Sequence, residues 1–159
     1  MAFRKIITFD DGFLRKKSKE ITKFDDKLRQ LLQDMKDTLK NAEGVGLAAV
    51  QVGILRRIFI IDTGEEIREF INPRLVYLSK ETQCSGEGCL SFPEKSKVIE
   101  RPAKAIVRAF DIEGNEFEYE GGELMARALC HETDHLNGIL YYDHPEAQPE
   151  PEDTQKEEV

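Results

Sequence analysis

The sequence predicts an α+β fold: mainly antiparallel β-sheets packed around a central C-terminal helix, with an additional N-terminal helix. Three observations carry that prediction. Four β-rich runs stand together between two helical patterns, with no βαβ alternation. The chain has 159 residues, enough for one domain around one core. Apolar residues make up 40% of it, an ordinary globular share.

The first element is a helix within TKFDDKLRQLLQDMKDTLKNAEG. Leu28, Leu31, Leu32, Met35 and Leu39 recur at helical spacing and form one apolar stripe. Asp25 is placed to cap its start and Gly44 to end it. The runs IFIID (58–62), FINPRLVYL (70–78), KAIVRAFD (104–111) and EFEYE (116–120) read as strands. IEGN forms the turn between the last two. Asn72-Pro73 should break its strand or confine it to an edge, because proline has no N–H for the ladder. The last helix runs from about Glu123 to Leu136. Gly121-Gly122 precede it, and Asn137-Gly138 follow it as a left-handed cap would.

The net charge of −8 is uneven. From His144 onward the chain carries six acids against Lys156, about −5, which leaves about −3 elsewhere. This stretch, 144–159, has several prolines and no apolar period, so it is expected to be a disordered acidic tail on a catalytic domain of residues 1–143. His144, at its head, is expected on the surface. No basic surface or motif suggests nucleic-acid binding. No apolar run approaches the roughly 18 residues of a membrane span, and the start lacks the apolar core of a signal peptide. The expectation is a soluble cytoplasmic protein.

The stretch CHETDHLNG carries the chemistry. Residues four apart on a helix lie about 40° apart on one face, so His131 and His135 project side by side. Leu124 and Ala128 continue that stripe, which points into the core. Two buried imidazoles without partners are costly, and a divalent cation between them removes the cost. Glu132 lies to one side of the pair, off the ligand axis but within reach of a water on the metal. This is a metal-hydrolase pattern: two His ligands and a carboxylate base.

A third ligand must come from upstream. The longer metalloprotease pattern fails at Tyr141, and only 24 residues follow His135. A cysteine thiolate would complete a Cys-His-His set with one open position. Cys130 points about 100° from His131 and about 140° from His135, so it reads as a small buried apolar residue. Cys84 and Cys89 remain, in QCSGEGCLSFP, and spacing does not choose between them. The nearby glycines would let backbone at 86–90 approach a metal. Glu87 either orients a metal histidine or is a solvated loop carboxylate. GVG at 44–46 is a poor phosphate loop, because it follows a helix and precedes a strand. It suits backbone presented to an extended peptide. Val45, Leu90 and Ala128 are candidates for a small apolar pocket, with Arg127 at its rim.

Three segments together resemble the peptide deformylases: GVGLAAVQ at 44–51, EGCLS at 87–91 and HETDH at 131–135, in that order. Similarity extends to LRKKSKEI at 14–21 and INP at 71–73, so it covers about residues 3–143. Two departures are visible: Cys130 stands where the family usually has Gln, and Ser96 where some members have Arg. The resemblance implies that Cys89, His131 and His135 bind the metal. It implies that Glu132 is general base and then acid toward a metal-bound water. Gln51 and the Leu90 backbone N–H would form the oxyanion site, and the Gly46 carbonyl would accept a hydrogen bond from substrate. The implied metal is Fe²⁺, with Ni²⁺, Co²⁺ or Zn²⁺ as substitutes. The implied reaction removes the formyl group from N-formylmethionyl nascent peptides, at the ribosome, by a monomeric enzyme. A zinc peptidase cutting internal bonds and a catalytically silent metal-stabilised domain are the rival expectations.

Overall fold

A computed structural model describes residues 2–149 and 156–158. Its centre is helix α2 (Leu124–Leu136), which touches strands of two sheets. The five-stranded sheet has the order β1-β2-β3-β6-β7 and is antiparallel throughout. Its strands are β1 (Gly46–Ala48), β2 (Ile58–Asp62), β3 (Ile67–Leu78), β6 (Lys104–Phe110) and β7 (Glu116–Gly122). The other sheet pairs β4 (Thr82–Cys89) antiparallel with β5 (Phe92–Pro102).

Helix α1 (Asp26–Ala42) begins where Asp25 accepts a hydrogen bond from Leu28 N–H at 3.1 Å. Such a cap contributes about 1 kcal/mol. Its five-residue apolar stripe is buried, in one cluster with Leu47, Ile58, Ile60 and Ile71. Glu43, one residue before the expected Gly44, takes the left-handed conformation that ends the helix (φ 57°). A second cluster places Ala126, Ala128 and Leu129 of α2 against Phe59, Ile61, Phe70 and Val107 of the sheet. One face of the sheet therefore holds α1 and the other holds α2.

Several expectations change on contact with the structure. Asn72-Pro73 neither breaks its strand nor puts it at an edge. Strand β3 is internal and absorbs the pair as a register shift between Ile71 and Arg74. Asn72 adopts φ 50°, its N–H donates to Arg57 O at 2.8 Å, and its carboxamide accepts from Ile21 N–H and donates to Ile21 O. The β4–β5 hairpin was not anticipated, because its buried positions on β4 are Ser, Gly, Glu and Cys rather than apolar residues. The expected disordered tail lies partly outside the described residues, at 150–155 and 159. Within the described part, His144 Nε2 lies 2.9 Å from Asp134 Oδ2, and Ala147 N–H donates to Val98 O. His144 is accordingly half-buried rather than a plain surface residue. Residues Lys156–Glu158 form β8, parallel to β4 at Gly86–Gly88.

Candidate active site

The three sequence segments converge at one point. Strand β4 ends at Cys89, whose Sγ lies 3.3 Å from His135 Nε2 on α2. Gln51, in the 3-10 turn Ala49–Val52 after β1, brings Nε2 to 3.6 Å from the same sulfur. A Cβ built on Gly46 would stand 2.6 Å from Glu132 Oε2, so strand β1 and the carboxylate of α2 are in direct apposition. Cys89, His131, Glu132, His135 and Gln51 are all buried.

The ligand atoms of Cys89, His131 and His135 lie within 4.8 Å of one another. Cys84 sits five residues up the strand, roughly 16 Å away at strand rise. Two observations test whether a cation fits. His131 Nε2 is buried and has no hydrogen-bond partner, an expensive condition for an imidazole nitrogen without a ligand. The donor set of one sulfur and two imidazoles is also one that divalent transition metals favour. The residues fit a metal ion on both counts.

Behind His131 stands a buried ionic network. Glu87 is wholly buried, so it is not a solvated loop carboxylate. Its Oε2 lies 2.6 Å from His131 Nδ1, and it receives Arg101 at 2.7 and 3.1 Å and Arg127 at 2.9 Å. Burial alone would raise the Glu87 pKa. The hydrogen bond and charge of His131 and then of Arg101 outweigh it and hold the carboxyl well below the usual range. Arg101 also reaches Asp134 at 2.8 Å. This hub pins the His131 ring and leaves Nε2 toward the cluster, as outer carboxylates do for metal histidines.

Burial pushes the carboxyl of Glu132 up to about 7. Both its oxygens lack a hydrogen-bond partner, which leaves them free for a water or substrate proton. Burial opposes charge on both histidines. The Cys89 sulfur and Glu87 override it at His131, which is shifted well above its usual value, whereas His135, facing that charge with ring centres 4.9 Å apart, is shifted well below. Cys130 is buried as expected, and burial raises its thiol to about 11.

The expected apolar pocket is only partly assembled. Val45 and Ala128 belong to one cluster, and Leu90 packs beside Gly44 at the edge of the other. Arg127 does not stand at a rim: it is wholly buried, and its guanidinium faces Glu87, Ile99 O and Gln83. The available signal was its place one turn before His131 on the same helix face, where a buried guanidinium requires a carboxylate. Arg101, Asp134 and Ser91 were missed; the first pairs across 14 residues with a glutamate that local pattern does not connect to it.

A buried Cys/His/His cluster with an apposed carboxylate, carried on a His-Glu-x-x-His helix among antiparallel sheets, defines a hydrolase centre of the metal-binding class. Comparison with known proteins narrows the class. The family model "Polypeptide deformylase" matches residues 3–150. A peptide deformylase of Caldicellulosiruptor bescii is 52% identical over 143 residues, covering 90% of this chain and 86% of that one. One from Alkaliphilus metalliredigens is 53% identical, covering 90% and 97%. The crystal structure of the peptide deformylase from Thermotoga maritima superposes with a TM-score of 0.89 at 40% identity, covering 92% of this chain and all of that one. The chain belongs to the polypeptide deformylase family.

Proposed function

We propose that this chain hydrolyses the formyl group from N-formylmethionine at the start of newly synthesised polypeptides, releasing formate. The observation that carries the reading is the meeting of Cys89, His131 and His135 beside an unpartnered Glu132 in a member of this family. Cys89, His131 and His135 would hold Fe²⁺, with Ni²⁺, Co²⁺ or Zn²⁺ as substitutes. A cation there supplies a Lewis acid and a water acidified toward neutral pH.

Glu132 takes the proton of the attacking water and returns it to the leaving amine. Its buried setting, with a carboxyl near 7, suits a group that must both accept and donate. Gln51 Nε2 and the Leu90 backbone N–H donate to the oxyanion, where one such donor contributes roughly 10²–10³ in rate. Strand β1 is the edge of its sheet, so an extended peptide can add beside it with the Gly46 carbonyl as acceptor. Val45, Leu90 and Ala128 provide apolar contact for methionine. The substrate arrives on nascent chains at the ribosome, and the enzyme acts as a cytoplasmic monomer. Among the described residues, no helix is long and apolar enough to cross a membrane.

The test is formate release from formyl-Met-Ala by protein reconstituted anaerobically with Fe²⁺, beside acetyl-Met-Ala and an unblocked peptide. Formate from the first alone is the expected result. Cleavage of an internal bond without formate would make the chain a peptidase. Stoichiometric metal without turnover would make it a silent domain.

A further inference from the structure

The carboxamide of Gln51 is held from two sides, and the partners fix its orientation. Ala48 N–H lies 2.9 Å from Oε1. A backbone N–H can only donate, so the atom facing it must be the oxygen. The nitrogen therefore faces the other way, 3.0 Å from Ser91 Oγ and 3.6 Å from Cys89 Sγ. Ser91 is wholly buried. Its hydroxyl is a good acceptor at ordinary distance, whereas sulfur is a weak one. One amide proton is held firmly and the other loosely.

The backbones of the same two residues share a clip. Ile7 N–H donates to Gln51 O at 2.7 Å, and Phe9 N–H donates to Ser91 O at 2.9 Å. Alternate residues of one extended segment thereby join the turn after β1 to the turn after β4. The Phe9 ring stacks on Phe92 at 4.9 Å, anchoring that segment to the start of β5. The last torsion of a glutamine side chain is broad. Without such anchors the amide would present either edge to the site.

We propose that Ser91 is the positioning residue of the oxyanion site. Its hydroxyl retains one amide proton of Gln51, so that the other, resting on the Cys89 sulfur, is the one that turns to the substrate oxyanion. The Ile7–Phe9 clip keeps the two residues in register. This inference rests on the deformylase reading above.

The test is a double-mutant cycle of Ser91→Ala and Gln51→Ala, with kcat and KM for formate release and the side-chain amide signals of Gln51 by NMR. Ser91→Ala is expected to lower kcat about tenfold with KM within twofold, less than the roughly 10²–10³ of Gln51→Ala. In the Gln51→Ala background it should cost nothing further, because both act through one group. Ser91→Thr, which keeps the hydroxyl, should recover most of the rate. The Gln51 amide signals should move in Ser91→Ala and return in Ser91→Thr. If Ser91→Ala does not fold, Ser91→Cys takes its place in the cycle as a weaker acceptor of similar size. Wild-type kcat in the Ser91 variant, or losses that add across the cycle, would overturn the positioning role and leave the deformylase reading intact. Absence of formate from the wild type would overturn that reading instead. Unmoved Gln51 signals would overturn the role of Ser91 whatever the reaction.

Discussion

The sharpest consequence of the geometry concerns Gly46. A Cβ added there would meet Glu132 Oε2 at 2.6 Å, Cδ at 3.1 Å and Cγ at 3.2 Å. Ordinary contact begins near 3.4 Å, so Gly46→Ala requires the carboxylate to retreat by about 0.8 Å, or the strand to move. The strand is constrained, because Gly46 pairs with Ile61 of the neighbouring strand. The carboxylate must give, within a fully buried setting. Misplacing a catalytic group by about 1 Å costs on the order of 10²-fold, or about 2.7 kcal/mol of barrier. The expected outcome is kcat lowered about 100-fold. KM should be little changed, because the Gly46 carbonyl is kept, and bound metal should be undiminished, because no ligand is touched. Steady-state formate release, metal analysis and thermal melting read the three. A kcat within twofold of wild type in a normally melting protein would refute the apposition as a determinant of Glu132 placement.

Other outcomes follow from the same contacts. Glu132→Ala should keep its metal and lose turnover by about 10²–10⁴-fold; near-wild-type formate release would remove its assigned role. Glu87→Gln takes the anion from between Arg101, Arg127 and His131. It should weaken metal retention against a chelator about 10–100-fold and destabilise the fold by roughly 3–5 kcal/mol, and unchanged retention would contradict the orienting role. Because the folded pKa of Glu87 is depressed, its contribution to stability is fully present above the unfolded value of about 4.3 and is lost as pH falls toward the folded one. Acid unfolding below about pH 4 should therefore be shallower in Glu87→Gln than in wild type, and parallel curves would sink the assignment. Glu123, which precedes α2, holds φ 52° and ψ −118° and makes no capping bond, a conformation that suits glycine. Relief of about 1–3 kcal/mol of strain, less about 0.5–1 for added chain freedom, should raise the Tm of Glu123→Gly by roughly 2–4 °C; a fall would mean the strain is absent.

Both helices were legible, α1 from its periodicity and the Asp25 cap and α2 from the glycines on either side of it. So were four of the strands, whose apolar residues alternate or cluster. The hairpin of β4 and β5 was not, because Ser85, Gly86, Glu87 and Gly88 are buried without being apolar. Glu87 is buried by Arg101, Arg127 and His131, which face it, and not by any hydrophobicity of its own. The same blindness put Arg127 at a rim and left Glu87 undecided.

The sequence by itself determined what neighbours along the chain settle. A helical turn places His131 and His135 on one face and sets Glu132 beside them, and an apolar stripe commits α1 to the core. Spacing left Cys84 and Cys89 open and the family resemblance implied Cys89, which the structure sets 3.3 Å from His135; only the tertiary structure decided that Glu87 backs His131, that Gly46 lies against Glu132, and that Ser91 holds Gln51. Each of those contacts joins residues about 40 or more positions apart. Spacing within one element follows from fixed backbone geometry. Contacts between elements follow from how sheets and helices bury one another, which no local pattern contains.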